Sequence, residues 1–246
     1  MKKSILTINL CLVLTLSIVT GKFTIARNFE SDEQVITRLK KSLNLEPGKA
    51  FTYFQIGWHY QKMGFDKNAK IYYEQCISIN KQFVSAWINL GNIYKKEKAV
   101  KKALLHYKQA LKLKPKSANA NYNIGTLYLH TNNEKLARVH LLRAVATRKE
   151  LVSGYLNLST IHLRWFQRNK KSQDLYLARK YLKKILYLDN THPSALYNLG
   201  RLYEIEHDYN NALMFYRKCL QYSKRGKRYR KNAIKRIQSI MQYLKK

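Results

Sequence analysis

The side chains able to bind metal ions or to act as acids and bases are scattered along the 246-residue chain. Its seven histidines form no i, i+4 pair, and none lies beside a cysteine pair, so the sequence lacks zinc-site spacing. It also lacks a glycine-rich phosphate loop and a Gly-x-Ser-x-Gly turn. Glu204, Glu206 and Asp208 lie close together, but we interpret them as a solvated surface at a turn. We therefore expect no enzymatic activity, no bound metal and no cofactor.

A row of amide side chains indicates a different chemistry, which is hydrogen bonding to a peptide. The row comprises Gln55, Asn89, Asn123, Asn157 and Asn198. Each of them lies two residues before the last position of a recurring five-residue pattern. A carboxamide can both donate and accept hydrogen bonds, so a stacked row could bind an extended backbone without reading its sequence.

The five-residue pattern fixes the elements that must position this row. It ends at Gly57, Gly91, Gly125, Ser159 and Gly200, with spacings of 34, 34, 34 and 41 residues. Other tyrosine, alanine and small residues recur at fixed distances after these positions, and they lie three or four residues apart. This spacing predicts two amphipathic helices in each unit. A pitch of this size is typical of a solenoid, in which each unit buries its apolar face against its neighbours.

The second unit shows a specific resemblance to a known family. Its matching residues are Trp87, Leu90, Gly91, Tyr94, Ala103, Tyr107, Ala110 and Pro115. They follow without a gap the Trp-x-x-Leu-Gly-x-x-Tyr, Ala, aromatic, Ala, Pro pattern of the tetratricopeptide repeat. The fourth unit departs most, with Ser159 for glycine and His162 for tyrosine. The resemblance implies an all-α, right-handed α-solenoid of helix-turn-helix repeats with a C-terminal capping helix.

The repeat frame predicts the organisation of the chain. Residues 1–26 are expected to be a signal peptide or signal anchor, and residues 27–49 a partial leading repeat. Five repeats would then occupy residues 50–83, 84–117, 118–151, 152–192 and 193–224. The fourth contains a seven-residue insertion near residues 165–175. We interpret this insertion as a lengthened helix pair with a longer turn, and a projecting contact loop is the alternative.

The resemblance also implies that the first helix of each unit lines a concave groove. The candidate partner-binding residues are Gln55, Asn89, Asn123, Asn157, Asn198, Phe54, Trp58, Asn92, Tyr122, Tyr197 and Arg201. The aromatic rings could hold apolar side chains of a peptide, and Arg201 or Lys95 could meet carboxylates. The family's carboxylate-clamp subtype is not expected, because this chain has Phe54, Ile88 and Tyr122 where that subtype has lysine. The alternative for the asparagines is that they simply belong to the repeat pattern.

The chain is strongly basic, with 47 basic and 14 acidic residues and a formal net charge of +33. This excess indicates either an anionic partner or solvated helix exteriors, and we favour the second. The basic segment 225–246 is predicted to be a capping helix, whose apolar stripe Ile234, Ile237, Met241 and Leu244 would cover the fifth unit. A polybasic contact with a membrane or nucleic acid is the alternative. Cys76 and Cys219 occupy small packing positions and are expected to be buried thiols.

The N-terminus indicates export. Met1-Lys2-Lys3 precedes an uncharged run over residues 4–21 with an apolar centre at Ile5–Val19. That centre is short for a membrane span of about 20 residues. We therefore favour a cleaved signal over an uncleaved anchor. The repeats would lie in the periplasm or on the extracytoplasmic face of a membrane.

These observations give a hypothesis for function and two alternatives. The protein would be a non-enzymatic scaffold or adaptor of a bacterial cell envelope that binds an extended segment of a protein or peptide partner. The first alternative is a binder of anionic surfaces, either membrane phospholipid or nucleic acid, although export argues against nucleic acid. The second alternative is a structural subunit that binds through its convex face.

Overall fold

The computed structural model describes residues 30–224 and 228–245, and these contain twelve α-helices and no β-strand. The signal or anchor that we expect over residues 1–26 lies outside the described residues. The helices are α1 Asp32–Leu45, α2 Ala50–Lys62, α3 Asp66–Ile79, α4 Val84–Lys96, α5 Val100–Leu113, α6 Ala118–His130, α7 Glu134–Thr147, α8 Val152–Asn169, α9 Ser172–Leu188, α10 Pro193–Ile205, α11 Tyr209–Tyr222 and α12 Arg228–Tyr243.

The helices fall into two units, which divide between Asn80 and Lys81. In the first unit, α1 packs on α2, and α2 pairs with α3. Helix α1 begins at a capping box, in which Ser31 and Gln34 each bond the backbone of the other. Ile36 and Leu39 of α1 meet Ile56 of α2 in a small core. The helix ahead of the first complete repeat is therefore held by apolar burial.

The second unit consists of four helix pairs and a last single helix. The pairs are α4–α5, α6–α7, α8–α9 and α10–α11, and the second helix of each pair packs on the first helix of the next. Helix α12 packs on α11 and also touches α10. The predicted all-α solenoid of helix-turn-helix repeats with a C-terminal capping helix is thus confirmed.

The repeated glycines lie where the two helices of a pair cross. A Cβ atom added to Gly91 would lie 2.4 Å from Cε1 of Tyr107, and one added to Gly200 would lie 2.6 Å from Cε1 of Tyr216. These distances are far below van der Waals contact, so the tyrosine ring occupies the space that a side chain would need. The repeat therefore pairs a residue without a Cβ with a large buried ring.

Counted by repeat, with α2–α3 as the first pair, α8–α9 is the fourth pair, and its insertion lengthens both helices. Helix α8 has 18 residues where α4 has 13, and α9 has 17 where α5 has 14. Only Lys170 and Lys171 separate α8 from α9, and Lys170 adopts a left-handed conformation with φ 54°. The expected longer turn is wrong, since the turn between α4 and α5 spans three residues, 97–99. The extra residues continue the helices, so they do not form a projecting loop.

Helix α12 presents a different stripe to its neighbours from the one we expected. Ala233 and Ile240 are buried against Tyr216 and Cys219 of α11, and Ile237 packs beside them. Ile234, Met241 and Leu244 are exposed. The expectation that these three face inward is wrong. Polar contacts account for the orientation, since Arg236 bonds Glu204 of α10 and Arg230 bonds the carbonyl oxygens of Leu220 and Ser223.

Candidate functional site

The candidate residues on the first helices occupy three positions relative to the crossing glycine or serine. These positions lie three residues before it, two residues before it and one residue after it. An α-helix turns by about 100° per residue, so the three positions fall within an arc of about 100°. This arc lies to one side of the crossing residue, and the second helix of the pair covers it only in part, since Phe54 packs on Tyr73 and Asn92 bonds Tyr107. We call this arc the inner face of each first helix.

The asparagine row lies on the inner face of the second unit. Asn89 is on α4, Asn123 on α6, Asn157 on α8 and Asn198 on α10. All four side chains are half-buried. Because the adjoining helix pairs stack in order, the chain presents the same carboxamide once per pair. The sequence could predict this repetition because the row follows from the repeat frame alone.

Asn92 has a structural contact that the sequence did not indicate. Its side-chain oxygen Oδ1 accepts a hydrogen bond of 2.8 Å from the Tyr107 hydroxyl. That tyrosine is fully buried, and burial raises the pKa of its hydroxyl. A buried hydroxyl without an acceptor would cost about 1–3 kcal/mol, so Asn92 contributes to packing as well as to the inner face.

Tyr197 is covered, in contrast to its predicted place in an open groove. Its side chain is 8% exposed, and its ring centroid lies 5.6 Å from those of Tyr216 and Tyr229. Tyr229 belongs to α12, so the capping helix closes the inner face at this point. The sequence could not show this, because the orientation of α12 depends on polar contacts with α10 and α11. Arg201, one turn further along, is half-buried.

In the first unit, the inner face of α2 carries mainly aromatic side chains. Phe54 packs against Tyr73 at a ring distance of 5.7 Å, and Gln55 beside it is half-buried. Trp58 is 46% exposed, and the ammonium of Lys62 lies 5.6 Å from its ring centroid. Phe51, which is 59% exposed, was missed although it precedes Phe54 by three residues and Trp58 by seven. That helical spacing was the signal that could have identified it.

Lys95 of α4 is a half-buried cation four residues after Gly91. Burial removes water from its ammonium group and lowers the pKa of Lys95. A nearby carboxylate would offset this loss of solvation. Tyr122 of α6 is half-buried and packs at the edge of the core formed with α7 and α8. The inner face of the second unit thus combines amides, the Tyr122 ring and Arg201, and Lys95 lies beside it on α4.

Glu134 forms a junction between the third and fourth pairs that the sequence did not reveal. Its carboxylate, only 7% exposed, accepts hydrogen bonds from Trp165 Nε1 and Arg168 Nη1, each at 2.8 Å, and from Arg164 Nη1 at 3.3 Å. Glu134 begins α7, whereas the three donors lie in the last part of the lengthened α8. The partners are about one repeat apart in sequence, so local spacing could not pair them.

His162 lies in the core of the fourth pair, as expected for a histidine at a packing position. Its Nδ1 lies 2.7 Å from Oδ1 of Asp174, and its ring packs beside Trp165 and Tyr181. Nε2 is buried and has no hydrogen-bond partner within the described residues. Burial lowers the pKa of His162, although the Asp174 carboxylate acts in the opposite direction. Cys76 and Cys219 are buried thiols, as predicted.

Two further features of the described residues bear on function. No group of three or more His, Cys, Asp or Glu side chains in this part of the chain could hold a metal ion. None of the helices in residues 30–224 and 228–245 is both long enough and apolar enough to cross a membrane.

Comparison with known families identifies the class of protein. Models of the tetratricopeptide repeat match residues 52–83, 84–117 and 193–225. These segments correspond to the first, second and fifth helix pairs of the repeat frame. Together with the stacked helix pairs, these matches show that the chain contains tetratricopeptide repeats. A comparison with curated proteins found no match.

Solved structures with similar folds include those of three other proteins. YrrB, a TPR protein with an unusual peptide-binding site, is 19% identical with a TM-score of 0.60, covering 76% of this chain and 93% of its own. PilF of Pseudomonas aeruginosa is 16% identical with a TM-score of 0.70, covering 83% and 90%. PilW, a type IV pilus biogenesis factor, is 24% identical with a TM-score of 0.59, covering 70% and 77%. At these identities, the likeness is one of fold.

Proposed function

We propose that the protein is a non-enzymatic scaffold or adaptor of the bacterial cell envelope that binds an extended segment of a partner protein on its inner face. The observation that carries this proposal is the asparagine row, Asn89, Asn123, Asn157 and Asn198, at one equivalent position on four successive first helices. The fold itself is compatible with many functions, so the argument depends on these side chains. Binding of proteins or peptides is the general role that the repeat family supports.

The spacing of the row sets the length and conformation of the segment. Packed helices have axes about 8–10 Å apart. An extended peptide advances about 3.3 Å per residue. Successive asparagines would therefore meet about every third residue, and the row would span a segment of about ten residues. Each carboxamide would donate to a backbone carbonyl and accept from a backbone N–H, which holds the peptide extended.

The neighbouring side chains indicate which peptide sequences would bind best. The pKa of Lys95 is lowered by burial, and a carboxylate of the partner would restore some of the lost stabilisation of its ammonium group. Arg201 could bind a second carboxylate in a two-pronged arrangement. Tyr122 offers a ring against which an apolar side chain can pack. The expected partner segment is therefore acidic with an apolar residue near its middle, in keeping with a net charge of +33.

The proposed location is the extracytoplasmic side of a bacterial membrane. The support is the order of basic, apolar and small residues at the N-terminus. Similar folds in PilF of Pseudomonas aeruginosa and in the pilus biogenesis factor PilW are compatible with this location. N-terminal sequencing of the mature protein tests it, and a chain that begins after Gly21 or Ala26 would show a cleaved signal.

Peptide selection tests the proposed binding surface. Random twelve-residue peptides would be selected on the wild-type protein and their affinities measured by fluorescence anisotropy. Asn123→Ala with Asn157→Ala should weaken binding at least tenfold, because two amides that hold the backbone are removed. Thermal stability should change little, because both side chains are only half-buried.

The matched control replaces two exposed asparagines on second helices, Asn68→Ala with Asn210→Ala. This double variant loses the same chemical groups outside the inner face and should bind the selected peptides as the wild type does. Equal affinities for all three proteins would remove the asparagine row from the binding surface.

A further inference from the structure

Helix α12 sorts its cations between two faces. Arg230 and Arg236 point toward the solenoid, where Arg230 bonds carbonyl oxygens at the end of α11 and Arg236 bonds Glu204 at 3.1 Å. Arg228, Lys231 and Lys235 are exposed, and within the described residues no ion pair reaches them. The helix thus docks with two of its cations and presents three to solvent.

The solvent-facing side also carries apolar residues. Ile234 and Met241 are 39% and 40% exposed, and they lie seven residues apart, which places them on one line after two helical turns. Lys231 precedes Ile234 by three residues, and exposed Gln238 lies between the two apolar side chains. The capping contact does not account for this line, because Ala233, Ile237 and Ile240 already form the inward face.

These two features together favour one class of partner. A nucleic acid would neutralise the cations but would leave Ile234 and Met241 in water. A bilayer that contains anionic phospholipid accommodates both, since cations bind the headgroups while apolar side chains enter the boundary with the acyl chains. We propose that the outer face of α12 binds the surface of an anionic phospholipid membrane, as a site distinct from the asparagine row.

The expected binding is peripheral and reversible. Each cation close to an anionic bilayer strengthens binding about fivefold at moderate ionic strength. Three cations therefore contribute a factor of about 100, and this factor should shrink as salt screens the surface potential. The long side chains of Arg228, Lys231 and Lys235 can reach headgroups while Ile234 and Met241 lie deeper.

Vesicle co-sedimentation of the full chain tests this proposal. The probes are vesicles of phosphatidylcholine alone and vesicles in which about one-third of the lipid is phosphatidylglycerol. The quantity measured is the difference in affinity between them, because any binding through the apolar N-terminal stretch would occur on both. Arg228→Gln, Lys231→Gln and Lys235→Gln together should reduce the anionic-specific affinity about 100-fold. Ile234→Ser with Met241→Ser should reduce it about tenfold, because two apolar side chains no longer enter the bilayer.

Matched controls come from exposed second-helix residues. Lys101→Gln, Lys108→Gln and Lys112→Gln on α5 remove the same charge, and Leu105→Ser with Val139→Ser removes similar exposed apolar groups. Both controls should retain anionic-specific binding within about twofold. An equal loss in the α5 charge variant would overturn the proposal, since binding would then reflect net charge alone. Unchanged binding in the Ile234 and Met241 variant, or tight competition by duplex DNA, would also overturn it.

Discussion

The second and fourth helix pairs solve the same packing problem in different ways. In the second pair, Gly91 admits the ring of Tyr107, and Tyr94 of α4 stacks on His106 of α5 at 5.0 Å. In the fourth pair, Ser159 replaces the glycine and Leu182 replaces the large ring. The tyrosine and the histidine exchange helices there, with His162 on α8 and Tyr181 on α9, and their tilted rings lie 5.9 Å apart.

The exchange explains why the fourth pair needs its insertion. His162 brings a polar ring into the core, and Asp174 in the first turn of α9 bonds its Nδ1. Trp165 then covers the histidine and bonds Glu134 of the preceding pair. Asp174 and Trp165 both lie in the lengthened part of the pair. The histidine and the insertion therefore belong to one structural feature. Where the second pair has a glycine packed on a tyrosine ring, the fourth pair has the hydrogen bonds His162–Asp174 and Trp165–Glu134.

Substitutions of Gly91 and Ser159 at the two helix crossings should give the largest difference in stability between the second and fourth pairs. Gly91→Ser should destabilise the protein by about 2–3 kcal/mol, because its Cβ would overlap the ring of Tyr107. Ser159→Gly should cost only about 1 kcal/mol, mainly from the lower helix propensity of glycine. Urea unfolding followed by circular dichroism measures both. Similar costs for the two variants would show that the crossings do not differ in packing.

Removing Glu134 tests the junction that only the lengthened α8 can form. Glu134→Ala should destabilise the protein by about 1–2 kcal/mol, since Trp165 Nε1 loses a buried acceptor. The loss is limited because Arg164 and Arg168 are largely exposed and can bond water. Glu150→Ala, at an exposed position, is the control and should have no measurable effect. Tryptophan emission should shift to longer wavelength in the first variant alone.

Acid pH should weaken the packing of the second, third and fourth pairs, each of which contains a buried or half-buried histidine. Burial lowers the pKa of His106, His140 and His162 below the ordinary value of 6.5. A histidine with a lowered folded-state pKa contributes stability that is complete above about pH 6.5 and is lost as the pH falls, because the unfolded chain then binds more protons. The melting temperature should therefore decrease between pH 7 and pH 5.5.

The variant His162→Tyr separates the fourth pair from the others in this titration. It restores the aromatic residue of the repeat pattern and removes one of the three histidines, so its melting temperature should depend less on pH. The groups that face His162 are Asp174, Arg138 and Tyr181. An unchanged pH dependence would show that His162 is not among the groups that titrate on unfolding.

The sequence predicted the regular parts of the fold more fully than the exceptions. The all-α repeat class and the burial of Cys76 and Cys219 all followed from one period, because each repeat meets the same neighbours. The covered Tyr197, the junction at Glu134 and the orientation of α12 did not. These features depend on contacts between different repeats or with the last helix, where the period gives no information.

The candidate site shows the same division between regular and local features. The asparagine row could be read from the frame, whereas the hydrogen bond from Tyr107 to Asn92 depends on which acceptor lies nearest a buried hydroxyl. In other pairs that acceptor is Gln61 or Glu204, four residues after the glycine. A role for Asn92 in packing could therefore not be predicted from its place in the repeat.

Site-specific photocrosslinking in intact cells tests binding on the inner face most directly. Tyr122, on the inner face of α6, and Tyr187, exposed on α9, would each be replaced by p-benzoylphenylalanine, which preserves an aromatic ring. We predict that position 122 crosslinks a partner protein and that position 187 does not crosslink the same partner. A partner captured from position 187 and absent from position 122 would contradict the account and place binding on the second helices.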